Sequence, residues 1–251
     1  MEDASAGNAV PSYLRLKLQQ DGDTLRISFA RPDKLNAFDA PLVEETIAAL
    51  NAAARDGVRL VVFTGEGRGF SGGFDFTGFE DQSDGDLALR FIRIEHLLQS
   101  VHYAPFMTMA LVHGACFGAA ADLVASCTWR VADPGARFRM PGLMFGVTLG
   151  TRRLGEAVGR DNAVRLLARE APFQSEEALR CRLLTEIAPQ EVWPDLVVEK
   201  LRAAEALPRE GLQSLLCQTR ADQRDADLAE LARSVTTPGL KSRIAAYRAK
   251  G

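Results

Sequence analysis

Hydrophobic positions change period along this chain, and the changes mark its elements. Residues 13–18 and 24–30 read as strands, and the Asp21-Gly22 step between them is a hairpin signal. Pro32 ends the second strand. Asp39 can cap a helix with Pro41 in its first turn; Val43, Ile47, Leu50 and Ala54 recur on one face of it, and Gly57 stops it. Two runs, 58–64 (VRLVVFT) and 106–112 (FMTMALV), are nearly all apolar, the pattern of strands buried on both faces. Between them lie a polar loop at 74–85 and a helix at 87–102, with Leu87, Phe91, Ile94, Leu98 and Val101 on one side. An apolar helix at 118–127 and short strands at 128–132 and 136–140 follow. From residue 154 onward only helical patterns occur, broken at Pro172, Pro189, Pro208 and Pro238. Strand–helix alternation followed by a helical tail predicts a mixed α/β core with an all-helical C-terminal segment, after a disordered lead-in at 1–12.

Each of the two buried runs leads into a glycine-rich turn, 65–73 (GEGRGFSGG) and 114–122 (GACFGAAAD). Small residues there let backbone N–H groups approach a ligand. Two such turns that converge can hold one oxygen between two donors, the geometry of an oxyanion hole. Asp122 lies just inside the second turn, in a helix otherwise apolar on every face. Its carboxylate either finds hydrogen-bond partners or has its pKa raised by desolvation, which makes it a candidate acid/base.

Composition narrows the classes. Of 251 residues, 47% are hydrophobic and 25% charged, with a net charge of −3 and no basic stripe, so nucleic acid is not an expected partner. No apolar run is long enough to cross a membrane, and the opening MEDASAGNAVPS is unlike a signal peptide, so the expected location is the cytoplasm. Cys116, Cys127, Cys181 and Cys217 lack metal or disulfide-framework spacing and read as free thiols. His96, His102 and His113 do not have zinc-ligand spacing, so no metal is expected, although His113 at a strand end can line a pocket. Residues 69–73 (GFSGG) match the G-x-S-x-G nucleophile elbow literally, but the strand ends too early, a loop follows, and no histidine comes after His113. Neither a dinucleotide fingerprint nor a P-loop is completed.

Taken in order, Arg31-Pro32…Asn36-Ala37, Thr64-Gly65…Gly69-Phe70-Ser71-Gly72-Gly73-Phe74-Asp75, Val112-His113-Gly114…Gly118-Ala119-Ala120-Ala121-Asp122-Leu123 and Phe138…Pro141…Gly146…Thr151-Arg152-Arg153-Leu154 resemble the crotonase superfamily (enoyl-CoA hydratase/isomerase). The similarity runs from about Leu14 to the C-terminus. It implies an α/β fold, a crotonase-type spiral of ββα repeats over 13–190, with a helical C-terminal trimerisation region at 191–251. It further implies homotrimers or dimers of trimers, acyl-CoA substrates, and no cofactor, coenzyme A being part of the substrate. By position the oxyanion donors would be Gly72 and Ala119. Asp122 stands where hydratases carry one catalytic glutamate, while Gly142 stands where the second follows a proline. Residues 146–153 are about two residues shorter than the usual connection.

A single carboxylate with an oxyanion hole suits a proton shift, decarboxylation, a retro-aldol or retro-Claisen cleavage or thioester hydrolysis better than hydration, which two carboxylates share in hydratases. His113, or Glu80 or Asp81 from the polar loop, could supply a second group, whereas Asp75 is better placed to shape that loop. Phe74, Phe76, Phe79, Met140, Leu143, Met144 and Phe145 are candidates for an apolar acyl pocket. The alternative is an acyl-CoA-binding homologue without catalysis.

Overall fold

A computed structural model describes residues 13–250; the expected lead-in at 1–12 lies outside them. In chain order the regular elements are β1 (Leu16–Asp21), β2 (Thr24–Phe29), α1 (Ala40–Arg55), β3 (Leu60–Gly65), α2 (Asp84–His102) and β4 (Met107–Val112). Then come β5 (Ala115–Phe117), α3 (Ala119–Ser126), β6 (Trp129–Ala132), β7 (Arg137–Arg139), α4 (Thr151–Val158), α5 (Arg160–Leu167), β8 (Phe173–Gln174), α6 (Ser175–Arg180) and β9 (Glu186–Ile187). Four helices end the chain: α7 (Trp193–Glu205), α8 (Arg209–Gln218), α9 (Arg224–Thr236) and α10 (Leu240–Arg248).

The strands form a larger sheet in the order β1-β2-β3-β4-β6-β9 and a smaller one in the order β5-β7-β8. Only the β1–β2 hairpin of the larger sheet is antiparallel, its register closing at Asp21 opposite Thr24 as the Asp-Gly step implies. Parallel neighbours need crossover connections, and these supply the helices. Gly114, at φ +57°, bends the chain from β4 in one sheet into β5 of the other, and a Cβ there would fall 2.2 Å from Arg68 O. Ser71 bridges to Cys116 beside it, so successive spiral turns each place a piece of backbone in the second layer.

Both faces of the large sheet are covered, which is why its central strands read as unbroken apolar runs. Val61 and Phe63 face the core beneath α1 and α2, while Leu60, Val62 and Met109 pack toward Trp193, Leu212 and Leu216 of α7 and α8. The Asp39 side chain accepts from Leu42 N at 2.9 Å to cap α1. A capping box between Ser83 and Asp86 starts α2. Three strands depart from the sequence expectation. The second glycine-rich segment contains β5, and β8 and β9, two residues each, interrupt the supposedly all-helical tail. Runs this short carry no periodicity to read.

A buried ion cluster fastens α9 and α4 to α2. Arg153, 2% exposed, bonds both oxygens of Glu95 at 2.5 and 2.9 Å and reaches Asp227 at 2.8 Å, which also accepts from Arg152. Arg153→Met should cost about 3–5 kcal/mol, because Glu95 is left as an unpaired buried charge. Pairing it with Glu95→Gln should recover most of that loss. Urea unfolding of both variants reads this out, and equal losses in the single and double variants would contradict it.

Candidate active site

The two glycine-rich turns meet. Gly73, at φ +80°, lies so close to the second turn that a Cβ on it would sit 2.2 Å from Phe117 O and 3.2 Å from Ala119 N. Ala119 opens α3, so its N–H has no acceptor within the helix, and none is supplied elsewhere among the described residues. Gly72 corrects the sequence expectation: its N–H donates to Leu35 O at 2.8 Å and is spent on holding the turn. Two residues on, Phe74 N–H donates to nothing among the described residues, and Phe74 and Ala119 line one cavity of about 130 Å³. The free donors of the converged turns are therefore at 74 and 119. Sequence alone could not choose between 72 and 74, because the choice rests on Leu35, itself held at φ +49°.

Asp122 is 6% exposed and lines the same cavity. Its Oδ1 has no hydrogen-bond partner and presses on Gly150, where a Cβ would fall 2.4 Å away. Burial holds the carboxyl well above the usual carboxylate range; Arg153 opposes that shift and Glu95 adds to it. Gly142 also lines the cavity, at the start of the 3-10 turn Gly142–Phe145. A Cβ at 142 would be 3.0 Å from Val147 O, so a larger side chain there would press on the backbone. The other polar side chains on the cavity wall are Thr151, Arg139 and Tyr247, and both Thr151 Oγ1 and Arg139 Nε are buried without a partner.

His113 does not join this site. Its Nε2 lies 2.8 Å from Gly67 O and its ring faces Trp193 at 6.4 Å, away from the cavity wall. Glu80 and Asp81 are exposed on the 3-10 turn Phe79–Asp81 and do not line the cavity either. Asp75 shapes its loop: it pairs with Arg31 at 2.9 Å and accepts from Thr77 N at 2.9 Å. Burial raises the Asp75 pKa, but these bonds outweigh it and leave the carboxyl below its usual range. Ser71 is fully buried, donating to Asn36 O at 2.8 Å and accepting from Gly73 N, which removes it as a nucleophile. Of the expected acyl-pocket residues, Phe74, Phe76, Met140, Leu143 and Phe145 line the cavity, whereas Met144 lines neighbouring grooves and Phe79 packs behind Phe76. Phe91 of α2 and Tyr247 of α10 complete the wall. Their distance in sequence from the glycine-rich turns gave no signal of this.

The enoyl-CoA hydratase/isomerase family model matches residues 20–237. The chain belongs to this family. A putative enoyl-CoA hydratase/isomerase from Bordetella parapertussis superposes with a TM-score of 0.93 at 47% identity, covering 95% of this chain and all of that one. A probable enoyl-CoA hydratase of Rhizobium meliloti is 31% identical over 224 residues, 86% of this chain and 84% of its own. One from Bacillus subtilis is 32% identical over 178 residues, 68% of this chain and 67% of its own. An enoyl-CoA hydratase from Bacillus halodurans, 23% identical, shares the fold at a TM-score of 0.82 over 94% of this chain and all of its own. The architecture is thus the crotonase-type spiral of this family, and no helix among the described residues is long and apolar enough to cross a membrane.

Within this family fold the isolated carboxyl has a measurable signature. Asp122 titrates higher in the folded chain than in the unfolded one, so the folded state keeps a proton that the unfolded state releases. That stabilisation is complete below the ordinary carboxyl range and is lost as pH rises toward the folded value. Asp122→Asn should melt near the wild type at pH 4 and several degrees above it at pH 8, at roughly 2–4 °C per kcal/mol. Calorimetry at the two pH values checks this, and a gap independent of pH would mean that the carboxyl titrates alike in the folded and unfolded chain.

Proposed function

We propose that this chain binds an acyl-CoA thioester with the carbonyl oxygen between Phe74 N–H and Ala119 N–H, and that Asp122 transfers the proton at the adjacent carbon. The observation that carries the reading is the placement of both unspent N–H groups and the Asp122 carboxyl on one small cavity. As the thioester becomes an enolate, negative charge moves onto that oxygen, and each donor aimed at it is worth about 3 kcal/mol of barrier. The α3 N-terminus adds its dipole to the same point.

Burial biases Asp122 toward its protonated form, and a protonated acid is ready to quench an enolate rather than to form one. This favours decarboxylation, which makes the enolate by breaking a carbon–carbon bond with no added nucleophile and releases carbon dioxide. The electron pair of the broken bond passes to the carbonyl oxygen, and Asp122 then delivers its proton to carbon. A proton shift would need the ionised form, and syn hydration would need a second group to hold water where Gly142 has none. The family's usual assembly as a trimer or dimer of trimers is part of this proposal. A second reading, an acyl-CoA binder without turnover, is motivated by that same loss at Gly142.

The test is a panel of crotonyl, 3-enoyl, methylmalonyl and 3-oxoacyl thioesters assayed for binding and turnover. Asp122→Asn should lower kcat about 10²–10⁴-fold while binding stays within a few fold. Gly73→Ala should lose both, because its Cβ would strike Phe117 O and its φ suits glycine alone. Binding of the thioesters without any turnover by the wild type would leave the second reading standing. Turnover indifferent to Asp122→Asn would remove the acid/base assignment.

A further inference from the structure

Arg139 is a cation without an acid. Half-buried on the wall of the Asp122 cavity, it has a buried Nε with no acceptor, and none of its guanidinium N–H groups bonds a protein oxygen among the described residues. The ring of Tyr247 lies 5.7 Å from the Arg139 Cζ; the Tyr247 hydroxyl makes no hydrogen bond among the described residues, and Tyr247 lines the same cavity. Burial raises the Tyr247 pKa, with Arg139 acting against it, so that hydroxyl remains a donor at neutral pH. The other arginines of the adjoining groove are occupied. Arg243 bonds Phe145 O and Gly146 O, each at 2.9 Å, and Arg248 lies over Phe76 and Phe79. Glu170, the acid in that groove, forms no ion pair with any of them. An Nε shut off from water without an acceptor is costly until an oxygen fills it, and the planar fork of donors beside it matches a carboxylate or phosphate.

The backbone fixes where such a group would sit. In β7, Arg139 pairs with Phe117, and its carbonyl accepts Gly118 N–H at 2.7 Å, directly before the Ala119 donor. The Arg139 backbone therefore lies beside the free Ala119 donor. We propose that Arg139, assisted by Tyr247, anchors an anionic oxygen group carried by the bound thioester. This rests on the acyl-CoA reading above. Two sources share the chemistry, a carboxylate on the acyl group and a phosphate of coenzyme A. The cavity shared with Asp122 favours the first. Its volume of about 130 Å³ compares with the roughly 150 Å³ of an engineered protein cavity that takes benzene. A short acyl chain ending in a carboxylate fits that space.

Calorimetric titration of succinyl-CoA, butyryl-CoA, free CoA and 3′-dephospho-CoA into wild type, Arg139→Gln and Arg139→Lys tests this. The expected result is a preference of tenfold or more for succinyl-CoA over butyryl-CoA in the wild type. Arg139→Gln should erase it and Arg139→Lys should keep part of it, with free CoA unaffected. A loss in Arg139→Gln shared equally by free CoA and its esters, and reduced for dephospho-CoA, would assign the guanidinium to a phosphate instead. Unchanged binding of all four ligands would overturn the proposal and leave the proposed function standing; no binding by the wild type would sink both. Because Arg139 spends no side-chain hydrogen bond on the fold, the melting temperature of Arg139→Gln should not drop, which separates loss of binding from loss of structure.

Discussion

The side chain of Asn36 holds the first glycine-rich turn in the only shape that makes the site possible. Fully buried, it donates from Nδ2 to Glu66 O at 2.8 Å, Gly69 O at 3.0 Å and Phe70 O at 3.2 Å, and Oδ1 accepts from Arg31 N at 2.9 Å. Its own carbonyl receives Ser71 Oγ, and the preceding Leu35 carbonyl receives Gly72 N–H. One residue at φ +52° thus satisfies a set of backbone groups that would otherwise be buried without partners. With those groups satisfied at 66, 69, 70 and 72, Gly73 is set against Phe117 and the next N–H, at Phe74, is left over. The free donor is what remains once the turn has satisfied itself.

The larger sheet sets the second requirement. Parallel strands force a helical return after each one, so the ends of β3 and β4 arrive side by side at one edge of the layer, each followed by a turn. That neighbouring placement is what brings donors from residues 74 and 119 to one cavity. The Arg153–Glu95–Asp227 cluster then locks α2, α4 and α9 together behind Asp122. Its glutamate and arginine act on the Asp122 carboxyl in opposite directions, so burial remains the deciding influence.

Much of this was legible in the chain. Unbroken apolar runs marked β3 and β4, the Asp39 cap and Pro41 marked α1, and Asp122 stood out as the one carboxylate in an apolar helix. The resemblance supplied the spiral and the acyl-CoA context. What escaped was local backbone hydrogen bonding and long-range convergence. The donor register turned on a bond to Leu35, and the strand β5 is three residues inside a segment whose glycines advertised a turn. His113 had the right residue type beside the right turn, yet a single bond to Gly67 O directs its ring elsewhere. Arg139, Tyr247 and Phe91 come from β7, α10 and α2, and no spacing rule connects them before the chain is folded.

Glycine at 142 bears on more than the number of carboxyl groups facing the cavity. Two carboxylates facing one cavity would repel, so one would be held neutral by the other's charge and the pair would share a proton. Here there is no second carboxylate at 142, and the Asp122 pKa is raised chiefly by burial. The cavity then contains an acid biased toward its neutral form, with the Arg139 guanidinium on its wall. That arrangement is poorly suited to activating a water molecule, which needs a base. It is well suited to a substrate that brings its own negative charge and takes up a proton after a bond to carbon has broken. Under the proposed function, the raised Asp122 pKa and the glycine at 142 therefore favour the same class of enolate chemistry.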